Sequence, residues 1–430
     1  MSMFSKNVLK LTYLEGLFYA LMVSSTETYA IYYFTKKGIS GTELALLTTL
    51  PVLLGAIGQL IIPRLVKKNV GGFLLLTHLI QFLGLGLIIH CVLFDSPFLA
   101  VLTGLSLYWI GGQNAAPLWL DWVSHHCKKS TFASYLGQRN AFVVFATMIF
   151  FLLFSLLLEN GMSFVQVFSL GLIARLISSI VQGFLIFKTR NVFHSASELV
   201  EDKPCEEVMD KDVLYSFFCW GGLFRFGVTL CSPFFITYMI NDLKLTTPEF
   251  VVLSAIPFLG RALFQANWVK ATEEGRSYYG IQVACLAISA LPILWTFSAN
   301  YYYLIALQIM SGIFWGGIEL TQVLMIQNHA YGSSRKFTGM QGAIFTVFSV
   351  LGALCGGYLL DSGFSIFDIF NISTIARFAL AFILIFQARK FQLSKLSLRH
   401  GSNYLVTVLS IRPSLSNIMK VVPTRSRRSK

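Results

Sequence analysis

Twelve runs of apolar residues make up most of this chain, and each is long enough to cross a lipid bilayer, which takes roughly 20 helical residues. The composition agrees, because 12% charged residues in a chain of 430 are too few to cover a soluble globule of that size. The sequence therefore predicts an all-α integral membrane protein with twelve transmembrane helices. The runs fall near 11–34, 41–62, 70–94, 97–119, 141–158, 164–187, 213–240, 246–269, 281–297, 301–325, 342–360 and 367–387.

The basic residues outside these runs predict the orientation of the chain. With the N-terminus in the cytoplasm, only Lys36, Lys37 and Lys244 fall in outer loops, and the other loop and tail cations are cytoplasmic. Both termini are therefore expected in the cytoplasm, with the chain in the cell (inner) membrane. The net charge of +13 lies in short gaps and in the tail, without a patterned basic helix, so nucleic acid is not an expected partner.

Neither a metal site nor a cofactor site can be assembled from the sequence. The seven Cys form no C-x-x-C pair and have no metal-ligand spacing. No G-x-x-x-x-G-K-S/T motif for ATP occurs, and no His/Asp/Cys cluster or Ser-Lys pair indicates an enzyme. We therefore expect no cofactor, no metal and no enzymatic activity.

The second half of the chain repeats the first. The segment SGTELALLTTLP at 40–51 returns as TTPEFVVLSAIP at 246–257, with Ser or Thr, Glu and Pro in matching places. The triplet Ile-Ala-Arg occurs at 173–175 and again at 375–377, at nearly the same offset. An offset that hardly changes over six apolar runs predicts a tandem duplication of a six-helix unit.

The duplication divides the chain into four predicted segments. In the repeated segment, Glu43 and Glu249 each stand three residues after a Ser or Thr, a spacing that predicts helix caps rather than substrate ligands. The mixed charge of the stretch between the halves is typical of a flexible cytoplasmic strap. The segments are an N-terminal six-helix half at 1–187, a cytoplasmic linker at 188–212, a C-terminal six-helix half at 213–387 and a basic cytoplasmic tail at 388–430.

Twelve apolar runs in two repeats, cytoplasmic termini and a long central loop resemble the major facilitator superfamily of secondary transporters, over about residues 10–390. The resemblance implies two halves around a midplane site and alternating access for a small solute. In the family, the loop between spans two and three has Gly, an acidic residue, and then Gly with a basic pair. Here GQLIIPRLVKK at 58–68 keeps the opening Gly and the basic cluster, with Arg64 as a gate residue, but lacks the acid.

A second, narrower resemblance bridges spans four and five. WLDW at 119–122 followed by GQRN at 137–140 is similar to a loop of a poorly characterised bacterial branch of the superfamily, in which an acidic residue precedes Gly-x-Arg-Asn. The resemblance implies that Asp121 and Arg139 lie at the cytoplasmic face and pair as a gate latch. An ordinary loop ion pair is the alternative.

Charged residues inside apolar runs are costly and are the first candidates for function. The duplication sorts them, because a charge present in both halves, such as Arg175 and its partner Arg377, favours a role in the scaffold. Glu15 has no charged counterpart, but it lies near the cytoplasmic end, where its side chain is expected to reach water. The other unmatched charges are Glu27, Arg225, Arg261 and Glu319.

The resemblance places spans one, four, seven and ten around the cavity, so Glu27 and Arg225 would face each other from opposite halves. Counted along their helices they lie at similar depth, and the pair is expected to close the outer gate or to hold a charged substrate. Arg261 and Glu319 are matched in depth within the second half, where a static ion pair is the alternative. A buried carboxylate can take up a proton at physiological pH, which makes Glu27 and Glu319 the expected proton carriers.

Polar and aromatic side chains at the same levels complete the predicted substrate site: Tyr19, Tyr29, Gln113, Asn114, Trp220 and Trp315. The leading interpretation is a monomeric secondary active transporter of a small solute, coupled to protons. The alternative is a transport-inactive membrane sensor or scaffold with the same fold. The expected partners are the small-molecule substrate, protons and the lipid bilayer.

Overall fold

The computed structural model describes most of the chain, and the regular structure of the described part is helical. The described residues are 6–66, 69–124, 129–196, 211–271, 277–329, 334–386, 405 and 408–409. Twelve long helices cover nearly all of them, and each coincides with one predicted apolar run: α1 (Lys6–Lys36), α2 (Gly41–Leu65), α3 (Val70–Leu93), α4 (Phe98–Ser124), α5 (Lys129–Glu159), α6 (Phe164–Ala196), α7 (Lys211–Thr229), α8 (Thr247–Ala271), α9 (Ser277–Leu294), α10 (Tyr301–His329), α11 (Ser334–Asp361) and α12 (Ile366–Phe386).

The seventh predicted span is interrupted in the structure. α7 ends at Thr229, and a short helix at Phe234–Thr237 and a π-helical turn follow in its place. Pro233 stands at this break, where it offers no backbone N–H and its ring crowds the preceding turn.

A second difference is at α6, which runs to Ala196 and so enters the predicted linker. The linker residues 197–210 lie outside the described part.

Nine helices in the described part are long and apolar enough to cross a membrane, and the apolar stretch Gly280–Leu294 in α9 is shorter. α1 and α4 are not among the nine, because polar residues are spread along them, among them Glu15, Glu27, Gln113 and Asn114. Polar side chains in a membrane helix must face the protein interior or water. α1 and α4 are therefore the helices on which a polar site is to be sought.

The chain divides into two compact units. Unit 1 comprises Met1–Pro204, Ser232–Val251 and Thr346–Gly363, and unit 2 comprises Cys205–Cys231, Val252–Phe345 and Phe364–Lys430. In unit 1, α1 packs on α6, and α3 packs on α4 and α6. In unit 2, α7 packs on α12, and α9 packs on α10 and α12. The same pairs of helices thus pack in both units, and the division into halves at 1–187 and 213–387 stays a prediction.

Glycine lets α3 and α4 approach each other closely in unit 1. A Cβ atom on Gly111 would lie 2.6 Å from the carbonyl oxygen of Thr77 and 2.6 Å from the amide nitrogen of Gln81. Small residues at helix contacts serve this purpose in membrane bundles. On the same two helices, Leu74 and Trp122 belong to one buried hydrophobic cluster of unit 1.

The two predicted helix entrances are capped differently. At α8, Glu249 accepts hydrogen bonds from the amide of Thr246 at 2.9 Å and from its hydroxyl at 2.8 Å, as predicted. At α2, the amide of Thr42 donates to a carboxylate oxygen of Asp361, the last residue of α11, at 3.0 Å. The repeat predicts that Glu43 caps α2, but Glu43 is exposed. Asp361 takes the capping role in its place.

Part of the predicted basic tail packs against unit 2. Val408 is fully buried in the hydrophobic core of that unit, and Leu405 packs against the same core. The side-chain nitrogen of Asn267 in α8 donates to the carbonyl oxygen of Val408 at 2.8 Å. These tail residues are held by the helices, and the rest of the tail apart from residue 409 lies outside the described part.

Candidate functional site

Five helices of unit 1, α1 and α3 to α6, surround a cavity of about 340 Å³. This volume is at the lower end for small-molecule sites, which span roughly 300–1,000 Å³. Among the described residues, no group of His, Cys, Asp or Glu side chains that could hold a metal ion comes together, here or elsewhere. The polar side chains of the cavity wall are Glu15, Tyr19, His78, Arg139, Asn140 and Arg175.

A buried ion pair forms part of this wall. Arg139 Nη2 lies 2.6 Å from Glu15 Oε2, and the two side chains are only 9% and 4% exposed. Glu15 Oε1 also accepts a hydrogen bond from the hydroxyl of Ser178 at 3.1 Å. Arg139 Nε donates to the carbonyl oxygen of Thr12 at 3.3 Å, and its guanidinium lies 3.8 Å from the ring centre of Trp119. Both charges therefore have the additional partners that a buried ion pair requires.

The surroundings of Glu15 differ from the sequence prediction. The prediction that its side chain reaches water is wrong, because the residue is 3% exposed. The side chain of Asp121, the predicted partner of Arg139, lies outside the described residues, so the latch between them stays a prediction. The helical spacing places Thr12, Glu15 and Tyr19 on one face of α1, at positions i, i+3 and i+7, but it does not identify the residue on another helix that this face meets.

Arg175 and Arg377, the repeat partners, have different surroundings. Arg377 donates to three backbone carbonyl oxygens at 2.9 to 3.4 Å and to the sulfur of Cys231 at 3.0 Å. These contacts agree with the predicted role in the scaffold. Arg175 is equally buried, at 1% exposed, but it lines the cavity of unit 1. The position of Arg175 in the repeat therefore does not by itself predict which groups surround its side chain.

On α1, Glu27 and Tyr29 contact other helices of unit 1. The hydroxyl of Tyr108 donates to Glu27 Oε1 at 3.2 Å. Tyr29 is fully buried, and its hydroxyl donates to the carbonyl oxygen of Phe151 at 2.7 Å. In this conformation Tyr29 thus packs against α5, in place of the substrate contact that the sequence predicts. Tyr19, in contrast, lines the cavity.

Gln113 and Asn114 connect α4 to α2. Asn114 is fully buried, and its side-chain nitrogen donates to the carbonyl oxygen of Gly55 at 3.3 Å and to one of its own helix at 2.8 Å. The side-chain nitrogen of Gln59 donates to the backbone carbonyl oxygen of Gln113 at 2.7 Å. Asn114 therefore serves the packing of two helices. The side chain of Arg64, the predicted gate residue at the end of α2, lies outside the described residues.

In unit 2, Arg225 lies beside two aromatic rings. Its guanidinium is 4.9 Å from the ring centre of Trp315 and 5.8 Å from that of Phe345, distances at which a cation and a ring attract each other. Trp220, also predicted to contact substrate, is 5% exposed, and its Nε1 donates to the carbonyl oxygen of Leu380 at 2.9 Å. Trp220 is therefore a core residue, whereas Trp315 is an aromatic neighbour of Arg225.

Arg261 and Glu319 form an ion pair within unit 2. Arg261 Nη1 lies 2.9 Å from Glu319 Oε2, and the side chains are 38% and 44% exposed. Arg261 Nε has no hydrogen-bond partner among the described residues, so this pair keeps the capacity to bind a further group. The pairing of Glu27, in unit 1, with Arg225, in unit 2, stays a prediction.

Contacts within unit 1 also join the ends of four helices that belong to different predicted halves. Near the end of α1, the hydroxyl groups of Tyr32 and Thr247 are hydrogen-bonded at 3.0 Å, and the Tyr32 ring centre lies 4.7 Å from that of Phe250. The bond from Thr42 to Asp361 joins α2 to α11 in the same way. The predicted orientation places these ends outside. The sequence did not predict these contacts, because aligning the two repeats shows which residues correspond and not which residues touch.

Neither a protein-family model nor a curated protein matches this sequence. Solved structures match it over most of its length. The nucleoside transporter NupG superimposes with a TM-score of 0.66 at 12% identity, covering 90% of this chain and 100% of that one. A bacterial homologue of the human lysosomal transporter Spinster, in an inward-facing conformation, gives 0.59 at 13%, covering 94% and 99%. An inward-facing bacterial homologue of the iron transporter ferroportin gives 0.64 at 13%, covering 88% and 98%.

The protein has the major facilitator fold. The predicted fold class is thereby confirmed, as an all-α, multi-pass membrane protein. At 12% to 13% identity, the likeness establishes the fold alone. Fold does not determine function, which has to be argued from the site.

Proposed function

We propose that the protein is a secondary active transporter that moves a small solute by alternating access. The observation that supports this most strongly is its superposition on transporters over 88% to 94% of the chain. Those transporters are named for different cargoes, among them a nucleoside and iron, so the shared fold does not name a substrate here. In an alternating-access cycle, the contacts of Tyr32 with Thr247 and of Thr42 with Asp361 would open when substrate enters from outside.

The unmatched charges of unit 2 supply the proposed binding chemistry. Arg261 and Glu319 are paired and yet 38% and 44% exposed, so a solute can reach them. Charged groups in membrane segments are costly and mark functional sites. Arg225, with Trp315 beside it, offers a second cation next to an aromatic wall. This combination suits a small zwitterion or an organic anion.

Glu27 and Glu319 are the proposed proton carriers. The described partner of Glu27 is the neutral hydroxyl of Tyr108, which supplies no compensating positive charge. Glu319 is paired with Arg261, and protonation of Glu319 would release that cation to a substrate. Proton uptake and substrate binding would then be coupled at a single ion pair. The same proposal has both termini in the cytoplasm, on the charge asymmetry of the loops.

The experiment is a transport assay on the full chain in proteoliposomes with an imposed pH gradient. A panel of nucleosides, amino acids, organic anions and metal ions is screened for gradient-driven uptake and efflux. Glu27→Gln and Glu319→Gln should abolish the coupling, and Arg225→Ala should weaken substrate binding. Glu159→Gln is the matched control, because Glu159 is exposed at the end of α5, and it should transport at the native rate.

Each outcome separates the parts of the proposal. Equal gradient-driven transport by both Gln variants would show that neither Glu carries the proton. Transport that requires Arg225 but ignores the pH gradient would keep the substrate site and exclude proton coupling. If no solute of the panel moves, although the folded protein is inserted, the transport-inactive sensor or scaffold is the better account.

A further inference from the structure

One buried cation, Arg175 on α6, lines the cavity of unit 1 with part of its guanidinium unpartnered. The side chain is 1% exposed, and its Nε and Nη2 atoms have no hydrogen-bond partner among the residues that the structure describes. These two nitrogens form one edge of the guanidinium, and that edge can pair with two oxygens of a carboxylate or phosphate. Because buried polar groups are normally satisfied, the free edge indicates a ligand.

The repeat partner shows how a structural arginine is satisfied in this fold. Arg377 donates to the carbonyl oxygens of Gly227 and Val228, which lie in the last turn of α7, where a helix end leaves carbonyl groups unused. In unit 1 the corresponding helix α1 continues unbroken over Lys6–Lys36, so its carbonyl groups at that level bond within the helix. The free edge of Arg175 is therefore a consequence of the unbroken α1.

The charges in the cavity wall do not balance. Arg139 is neutralised by Glu15 at 2.6 Å, which leaves Arg175 as the uncompensated cation among the residues that line this cavity. An unpaired charge buried in a membrane segment is costly. A ligand that carries a negative charge would remove this cost.

The apolar part of the wall limits the shape of the ligand. Ala115 and Ala116 of α4 present small side chains, and Trp119 adds an aromatic surface. We propose that this cavity binds a small organic anion, with its carboxylate or phosphate oxygens on Nε and Nη2 of Arg175 and its apolar body against α4. The volume of about 340 Å³ suits a ligand of about one ring. The site uses none of the charged residues proposed above for transport, so it stands independently of that proposal.

Calorimetry on the full chain in lipid nanodiscs tests the site with four probes: benzoate, phenyl phosphate, benzamide and benzylammonium. Benzoate or phenyl phosphate should bind saturably, and the tighter of the two identifies the carboxylate or the phosphate as the preferred group. The neutral amide and the cation should not bind. Arg175→Lys should weaken anion binding at least about tenfold, because Lys keeps the charge but loses the paired donors. The matched variant Arg377→Lys should bind as the native protein does.

Two further variants keep the test decisive if substitutions at Arg175 disturb folding. Ala116→Phe fills the apolar wall without touching the guanidinium, and it should prevent binding. Lys37→Gln, which changes an exposed ion pair outside both proposed sites, is the control and should leave anion binding unchanged. The proposal is wrong if neither anion binds, if benzamide binds as well as benzoate, or if Arg175→Lys and Ala116→Phe bind normally. Anion binding that persists in Arg175→Lys and is lost in Arg225→Ala would place the anion at the transport site proposed above and would also overturn it.

Discussion

Replacing Glu15 with Gln should destabilise unit 1 strongly, because the variant leaves a buried cation without its partner. Arg139 is 9% exposed, and its carboxylate partner lies 2.6 Å away in the native chain. A buried charge that loses its partner costs about 3–5 kcal/mol, and the hydrogen bond from Ser178 weakens as well. Arg139→Gln should cost a comparable amount, since it leaves the carboxylate of Glu15 buried and unpaired.

An exposed ion pair of similar length provides the matched control. Lys37 Nζ lies 2.8 Å from Asp95 Oδ1, but the side chains are 50% and 76% exposed. Water solvates both groups before and after the substitution, so Lys37→Gln should leave the free energy of unfolding unchanged within error. The comparison therefore measures the effect of burial on one type of interaction.

The assay is a double-mutant cycle, with the free energy of unfolding measured by denaturant titration of the purified protein in mixed micelles. Glu15→Gln combined with Arg139→Gln removes both charges, so it should be less destabilised than the sum of the single variants, by about 2 kcal/mol or more. Single variants that cost no more than Lys37→Gln, or a cycle without coupling, would contradict a buried, mutually dependent ion pair.

Three further predictions concern packing and caps, and the same titration measures them. Arg377→Gln should cost about 3 kcal/mol or more, because three carbonyl groups lose a charged donor; a loss below about 1 kcal/mol would contradict the scaffold role. Gly111→Ala should cost about 1–3 kcal/mol through overpacking, whereas Gly86→Ala, with open space around it, should be neutral. Glu249→Ala should cost about 1 kcal/mol through loss of a cap. Glu43→Ala should cost less, because Asp361 caps α2, and an equal cost would show that Glu43 contributes to that cap as well.

The helices of this fold could be predicted because a bilayer leaves few structures open to long apolar runs. All twelve runs became helices, although the seventh breaks at Pro233. That proline is visible in the sequence, but its consequence was not drawn, since the run around it is apolar enough to span. At α8 a local capping pattern was also sufficient, because Thr246 and Glu249 are neighbours on one turn.

The candidate site was harder to predict, because depth along a helix does not reveal which neighbour a side chain meets. Tyr29 and Trp220 stand at the expected depth, but both are used in packing. Glu15 was excluded on depth, yet it lies on the face of α1 that meets Arg139. The choice between these faces is made by tertiary packing, which no pattern within one helix contains.

Repeat symmetry was informative about the fold and misleading for one residue. Arg175 and Arg377 occupy matching positions, and the sequence gives both the same surroundings within their repeats. The difference arises because α7 ends at Thr229 while α1 continues to Lys36, which changes the carbonyl groups within reach of each arginine. A small local break thus changes the role of a side chain on another helix.

The most direct test of the central claim, transport by alternating access, is a reversible link between α2 and α11. Thr42→Cys and Asp361→Cys, in a background without the seven native Cys, are joined by a short bis-methanethiosulfonate, which forms a disulfide with each thiol, at the place where these residues now contact. Solute transport in proteoliposomes should stop when the link forms and return when a reducing agent cleaves it. Transport at the same rate with the link intact would contradict the account.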